Sequence, residues 1–207
     1  MPCTGVLTLC LFRLKLIMLT DNILVKNEIR ERLISLRRGL DIKWIGDKSI
    51  EIEERLFDER DFLEKTYILF YSAFEKEVQT KGMIKRAVEM NKKVFLPVTD
   101  FKNRNILISE LYNKEEEIRI VPENVVEVII VPGIAFSEIG GRIGFGKGFY
   151  DKFLSRLPVG VKTIGLAFDF QIVDEIPLYN HDFLLDRIIT EKRVIDCKKC
   201  RDKIERG

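Results

Sequence analysis

The chain has 207 residues, with 35 Lys and Arg against 33 Asp and Glu, a net charge of +2 and a single histidine. That length suits one domain able to bury its core without disulfides. So even a charge balance leaves no broad basic face for nucleic acid.

Four cysteines, Cys3, Cys10, Cys197 and Cys200, lie at the two ends. The CKKC run at 197–200 has metal or redox spacing, but no second pair or nearby histidine completes a zinc site, and its thiols read as incidental. Residues 1–17 are apolar, yet Arg13 and Lys15 interrupt them. They fall short of the ~20 residues a spanning helix needs and lack a positive leader. They read as a peripheral extension of a cytoplasmic, monomeric protein without a membrane role. Residues 18–196 then form one domain and 197–207 a C-terminal tail.

In chain order, Ile23, Val25, Ile29, Leu33, Ile34 and Leu36 predict a helix over 22–40 that stops at Gly39. A second helix is expected over 47–63, capped by Asp47 or Ser49. The β-branched and aromatic run 66–74 reads as a buried parallel strand. A helix near 78–90, a strand at 92–98 and another at 105–111 follow. The acidic stretch 112–120 reads as a solvated connection. Residues 125–136 predict a third buried strand, 149–157 a helix, 162–168 a strand, and 186–195 a last strand with a short helix. Strands alternating with helices predict a single α/β domain, a mainly parallel sheet with helices on both faces.

Between the strand at 125–136 and the helix near 149 lies GGRIGFGKGFYD (140–151), with glycines at 140, 141, 144, 146 and 148. A loop at the carboxyl end of a parallel strand is where open α/β sheets bind ligands. Its glycines free the backbone N–H groups to turn towards an anion. Arg142 and Lys147 supply cations for a polyphosphate, and Asp151 is a carboxylate of the kind Mg²⁺ takes. The competing reading is a flexible, slightly basic surface loop. Gly148 stands where a P-loop needs Ser or Thr. The spacing is wrong for a dinucleotide fold, and the downstream signatures of a protein kinase are missing.

This stretch, with VPGIAF (131–136) before it, resembles the 5-formyltetrahydrofolate cyclo-ligase family, also called methenyltetrahydrofolate synthetases. The family's hallmark is V-P-G-x-x-F followed by G-x-R-[LI]-G-x-G-x-G-[YF]-Y-D. IGLAFDFQIVDEIPLYNHD (164–182) and KNEIRERL (26–33) extend the resemblance over about 22–195. It implies a single α/β domain and an ATP-dependent reaction. In that reaction 5-formyltetrahydrofolate becomes 5,10-methenyltetrahydrofolate, with release of ADP and phosphate.

The resemblance implies ATP contacts from Lys26, Arg30, Arg142, Ile143, Gly144, Phe145, Gly146, Lys147, Gly148, Phe149 and Tyr150. Of these, Arg142, Lys147 and Tyr150 would carry catalysis. It implies folate contacts from Ser72, Glu77 and the loop residues Phe145, Gly146, Lys147, Gly148 and Phe149, and Mg²⁺ ligands Asp151 and Asp182. His181 would neighbour Asp182. Read without the resemblance, Lys26 and Arg30 are a solvated helix face and Glu77 is a charge at a helix N-terminus. A small-molecule kinase, or a non-catalytic nucleotide- or folate-binding module, would use the same loop.

Overall fold

Asp41 sets where the second helix begins: its carboxylate accepts the free N–H groups of Lys43 and Trp44 at 2.8 and 3.1 Å. The computed structural model describes residues 4–110, 119–179 and 182–204, with side chains from residue 21 onward. Its elements are α1 (Thr4–Gly39), α2 (Ile42–Asp58), α3 (Arg60–Leu63), β1 (Tyr67–Leu69), α4 (Lys81–Glu89), β2 (Lys93–Asp100), β3 (Asn105–Glu110), β4 (Ile120–Val121), β5 (Val128–Val131), β6 (Ala135–Ser137), β7 (Arg142–Ile143), α5 (Phe149–Leu154), β8 (Lys162–Leu166), β9 (Ile172–Val173), β10 (Arg187–Ile189), β11 (Val194–Asp196) and α6 (Cys197–Ile204).

Several expected boundaries move, each for a physical reason. Asp47 and Ser49 sit inside α2 rather than at its start. Asp47 pairs with Lys43 one turn back, and the Ser49 hydroxyl donates to the Ile45 carbonyl. The strand expected at 66–74 stops at Leu69, because the chain turns after Tyr71 through Glu75, which adopts a left-handed φ of 49°. The strand expected at 125–136 breaks after Val131 at Pro132, which has no N–H for a ladder, and β6 then joins a different sheet. The final strand and helix are instead a β10–β11 hairpin. The Thr190 hydroxyl closes it by accepting the Lys192 and Arg193 N–H groups. α6 then occupies the CKKC stretch, with Cys197 fully buried. α1 runs unbroken from Thr4 into the helix expected to start near residue 22. Most of the acidic stretch 112–120 lies outside the described residues.

Among the described residues the main sheet has eight strands in the order β11-β10-β8-β5-β1-β2-β3-β4. The five from β10 to β2 are parallel, and antiparallel strands flank them. One face carries α2, α3 and α4 over Ile68, Val128, Ile130 and Ile164. The other carries α5 and α6 over Leu69, Ile129, Val131 and Ile188. A small sheet of order β7-β6-β9 packs against α1 through Leu33, Ile134, Ala135 and Ile143. No helix among the described residues is long and apolar enough to cross a membrane.

From β1 the chain proceeds to β2 on one side, then crosses to β5, β8 and β10 on the other. Connections leaving β1 and β5 therefore diverge, and a crevice opens at their carboxyl ends, after Leu69 and Val131. Gly133 and Gly165 make room there for the Phe136 ring, which is fully buried. A Cβ at Gly133 would lie 2.5 Å from that ring. Phe136 pairs directly with Arg142 across the β6–β7 hairpin, so the ring seats the hairpin on the main sheet. Gly133→Ala should cost about 1–3 kcal/mol by overpacking. The Gly133→Ala/Phe136→Leu double variant should cost less than the two singles summed, as urea denaturation would read. Strict additivity would contradict this packing.

Candidate active site

The glycine stretch begins as a tight hairpin: Gly140 N–H donates to Ser137 O and Ser137 N–H to Gly141 O, with Gly140 at φ 93°. A Cβ on Gly140 would meet the Leu185 carbonyl at 2.5 Å, so the close approach requires glycine. The hairpin delivers Arg142 into the crevice, where its side chain is only 3% exposed. Its Nη1 donates to Pro132 O at 3.2 Å and its Nη2 to Asp151 Oδ1 at 2.6 Å. Its Cζ lies 5.5 Å from the Tyr150 ring centroid. One guanidinium therefore ties the end of β5 to the first turn of α5. Between these anchors Phe145, Gly146, Lys147 and Gly148 are exposed, and Ile143 beneath them is buried. Gly148 enters α5 at φ 69°, a left-handed conformation glycine adopts without strain.

α1 supplies the opposing wall. Lys26, Arg30, Leu33 and Arg37 follow one another at spacings of four, three and four, which puts them on one face. Lys26 and Arg30 are not on a solvated face. Lys26 Nζ reaches Asp182 Oδ2 at 2.6 Å, with both side chains largely buried, and lies 4.2 Å from the Tyr179 ring centroid. Arg30 Nε donates to Gly144 O at 2.9 Å, its Nη1 bonds Asn27 Oδ1, and its guanidinium faces Gly146. Asp182 Oδ2 also accepts the Tyr179 N–H, so this carboxylate engages both Lys26 of α1 and the Tyr179 backbone. His181 lies outside the described residues.

Glu77 forms the third side. It precedes α4 by a full turn and is not a helix N-terminal charge: its Oε2 instead accepts the Phe74 N–H within a tight turn. Lys76 binds this turn to the end of α1 by donating to the Arg38 and Leu40 carbonyls, both at 2.6 Å. Burial raises the Glu77 carboxyl above the ordinary carboxylate value, against the lowering effect of the Phe74 N–H and the Arg37 charge. Arg37 Nη1 lies 3.7 Å from Glu77 Oε1, with the two side chains 5% and 7% exposed. Ser72 is exposed on the same segment, just beyond β1.

Burial also raises the phenols of Tyr71 and Tyr150 well above their usual value. Glu77 adds to both shifts, while Arg37 opposes at Tyr71 and Arg142 at Tyr150. Tyr71 OH donates to Val78 O. Arg37 and Tyr71 were not singled out from sequence. Arg37 had a signal, since it continues the Lys26–Arg30 stripe by seven residues; Tyr71 had none within its apolar run.

Asp151 is the carboxylate that fits a hard cation beside a phosphate. Its side chain is 35% exposed and the Arg142 contact engages Oδ1. Among the described residues no three His, Cys, Asp or Glu side chains gather as a metal cage. Cys197 is buried, with its thiol pushed up to about 12 mainly by burial, and it takes no part in the crevice.

Fold and site define a doubly wound α/β domain whose switch point gathers a glycine loop, a cationic helix stripe and a buried carboxylate. A model of the 5-formyltetrahydrofolate cyclo-ligase family matches residues 22–191, and the chain belongs to that family. A probable 5-formyltetrahydrofolate cyclo-ligase of Caenorhabditis elegans is 30% identical over 195 residues, covering 83% of this chain and 95% of the relative. The 5-formyltetrahydrofolate cyclo-ligase of Mus musculus is 26% identical, covering 81% and 92%. Among solved structures, the Aquifex aeolicus 5,10-methenyltetrahydrofolate synthetase aligns with a TM-score of 0.73 at 25% identity, over 84% of this chain and 93% of that one.

Because the Glu77 carboxyl is raised on folding, its stabilising contribution is complete below the ordinary value of 4.5 and is lost as pH climbs through the folded value. Glu77→Gln removes this titration. The unfolding free energy of the native chain relative to Glu77→Gln should therefore fall as pH rises above the ordinary carboxylate value of 4.5, measured by urea denaturation at each pH. A pH-independent difference would contradict the burial.

Proposed function

We propose that the chain is an ATP-dependent 5-formyltetrahydrofolate cyclo-ligase that forms 5,10-methenyltetrahydrofolate, ADP and phosphate. The observation that carries this reading is the convergence of the glycine loop, clamped by buried Arg142, with Lys26 and Arg30 on one side and buried Glu77 on the other. A polyphosphate suits the first wall and a folate ring the second.

The formyl oxygen of the substrate is a poor leaving group. In the proposed reaction it attacks the γ-phosphorus of ATP; the bond to the bridging oxygen breaks and ADP leaves. N10 then adds to the activated formyl carbon and loses its proton. The C–O bond cleaves, phosphate departs with the former formyl oxygen, and the five-membered methenyl ring remains. No protein nucleophile takes part, so positioning and charge neutralisation supply the rate.

Each wall has a role in that scheme. Arg142 holds the loop and neutralises the transferring phosphate, assisted by Lys147 from the exposed crest. The Tyr150 phenol donates a hydrogen bond to a phosphate or formyl oxygen. Lys26 and Arg30 bind the triphosphate from α1, and the backbone from Ile143 to Phe149 follows it. Glu77 accepts hydrogen bonds from the pterin, with Ser72, Phe145 and Phe149 along the ring. Mg²⁺, when bound, would sit on Asp151 and offset phosphate charge. Asp182, with one oxygen shared by the Lys26 ammonium and the Tyr179 N–H, is assigned to anchoring Lys26 rather than to the cation.

The test mixes the purified protein with 5-formyltetrahydrofolate, ATP and Mg²⁺ and follows the near-ultraviolet absorbance of the conjugated product. A rise that needs all three, with one ADP and one phosphate per product, is expected. Asp151→Asn should lower kcat by about 100-fold or more while ATP binding changes far less. A stable phosphorylated product would identify a small-molecule kinase, and binding without turnover a carrier module.

A further inference from the structure

Arg37 carries a buried hydrogen-bond donor that nothing described in the fold uses. Its Nη1 is fully covered and has no hydrogen-bond partner among the described residues. The nearest carboxylate oxygen, Glu77 Oε1 at 3.7 Å, lies beyond hydrogen-bond reach. The opposite carboxylate oxygen, Oε2, bonds the Phe74 N–H at 3.0 Å. A carboxylate has about four lone-pair positions, so Glu77 retains capacity for two donors, beside a guanidinium that retains donors of its own. A buried polar group left in this condition is costly to the fold, and such groups mark sites completed by a ligand.

The pairing has a definite chemical complement. A planar ligand edge that offers two N–H groups to Glu77 and an adjoining oxygen acceptor to Arg37 satisfies both residues at once. The lactam edge of an oxopterin has this order: the 2-amino group, N3–H, then the C4 carbonyl. A 2,4-diaminopteridine replaces that carbonyl with an amino donor, which would face the Arg37 donors, and its ring N3 carries no proton. Access is built into the glycine loop. Phe145, half-exposed, lies 5.6 Å from the Arg37 Cζ, and Gly144 and left-handed Gly146 flank it, so its ring can leave the guanidinium as a ligand arrives.

We propose that Arg37 is a specificity-determining residue of the folate subsite, donating to the C4 oxygen of the pterin and rejecting 4-amino analogues. The inference rests on the folate reading of this crevice. It adds a residue from the far end of α1, two turns beyond Arg30.

The experiment measures, by isothermal titration calorimetry at fixed pH, the affinity of the full chain for 5-formyltetrahydrofolate and for its 4-amino-4-deoxy counterpart. Native protein and the Arg37→Met and Arg37→Gln variants are compared. The ratio of the two affinities should move towards the 4-amino compound by about 10- to 100-fold in Arg37→Met, the worth of one hydrogen bond to a charged donor. Arg37→Gln keeps a neutral donor and a partner for Glu77, and should shift the ratio less. If Arg37→Met does not fold, the Gln variant still decides: its ratio must move in the same direction. Equal weakening of both ligands, with the ratio unchanged, would mean that Arg37 only holds Glu77 in place and would overturn the proposal while leaving the folate site standing. Native protein that binds neither compound would overturn the folate reading and this inference together.

Discussion

The buried guanidinium of Arg142 is the joint on which the crevice depends. It reaches the carbonyl that ends β5, the carboxylate in the first turn of α5 and the face of Tyr150. Two elements that would otherwise be free to shift, the end of β5 and the start of α5, are fixed by one planar, permanently charged group. Burying that charge is unfavourable unless it is paired, and Asp151 at 2.6 Å provides the pairing. The glycines on either side then have a simple purpose: the backbone must leave β7, pass over Arg142 and enter α5 within a few residues. A loop so anchored at its ends and free at its crest can follow a phosphate chain without losing its register on the sheet.

Around this joint the fold gathers charge at one place. The parallel strands from β10 to β2 bury apolar side chains on both faces, and helices cover them. At the switch point between β1 and β5, charged side chains converge from α1, from the turn after β1 and from the glycine loop. The two buried arginines there, Arg37 and Arg142, lie at opposite walls, each with a carboxylate partner and a ring of the loop region beside it. Raised tyrosine phenols between them keep the interior stocked with neutral hydrogen-bond donors. Such a site sets charged and aromatic walls side by side, the pairing that the proposed transfer of a phosphoryl group to a formyl oxygen requires.

The glycine stretch was legible in the sequence because its glycines, two cations and an acidic residue are contiguous, so chain order alone places them together. Lys26 and Arg30 were legible only through the family resemblance, since a one-turn spacing of cations by itself reads as a solvated helix face. Arg37 was not, since arginines in the last turn of a helix are ordinarily explained by the helix dipole. Only the tertiary turn carrying Glu77 turns that residue inward. The small β7-β6-β9 sheet was equally hidden: strands of two or three residues have no measurable periodicity. Asp41 was passed over as a cap because it follows Gly39 so closely that the two helices leave no visible loop. The parallel core, by contrast, declares itself in uninterrupted runs such as VIIV at 128–131, which has no polar face to show.

The central claim is that the formyl oxygen itself becomes the oxygen of the released phosphate. The most direct measurement starts from 5-formyltetrahydrofolate labelled with oxygen-18 in the formyl group, converts it with ATP in ordinary water, and analyses the inorganic phosphate by mass spectrometry. The account predicts one labelled oxygen in each phosphate released. Unlabelled phosphate, with the label lost to water as the ring closes, would contradict it.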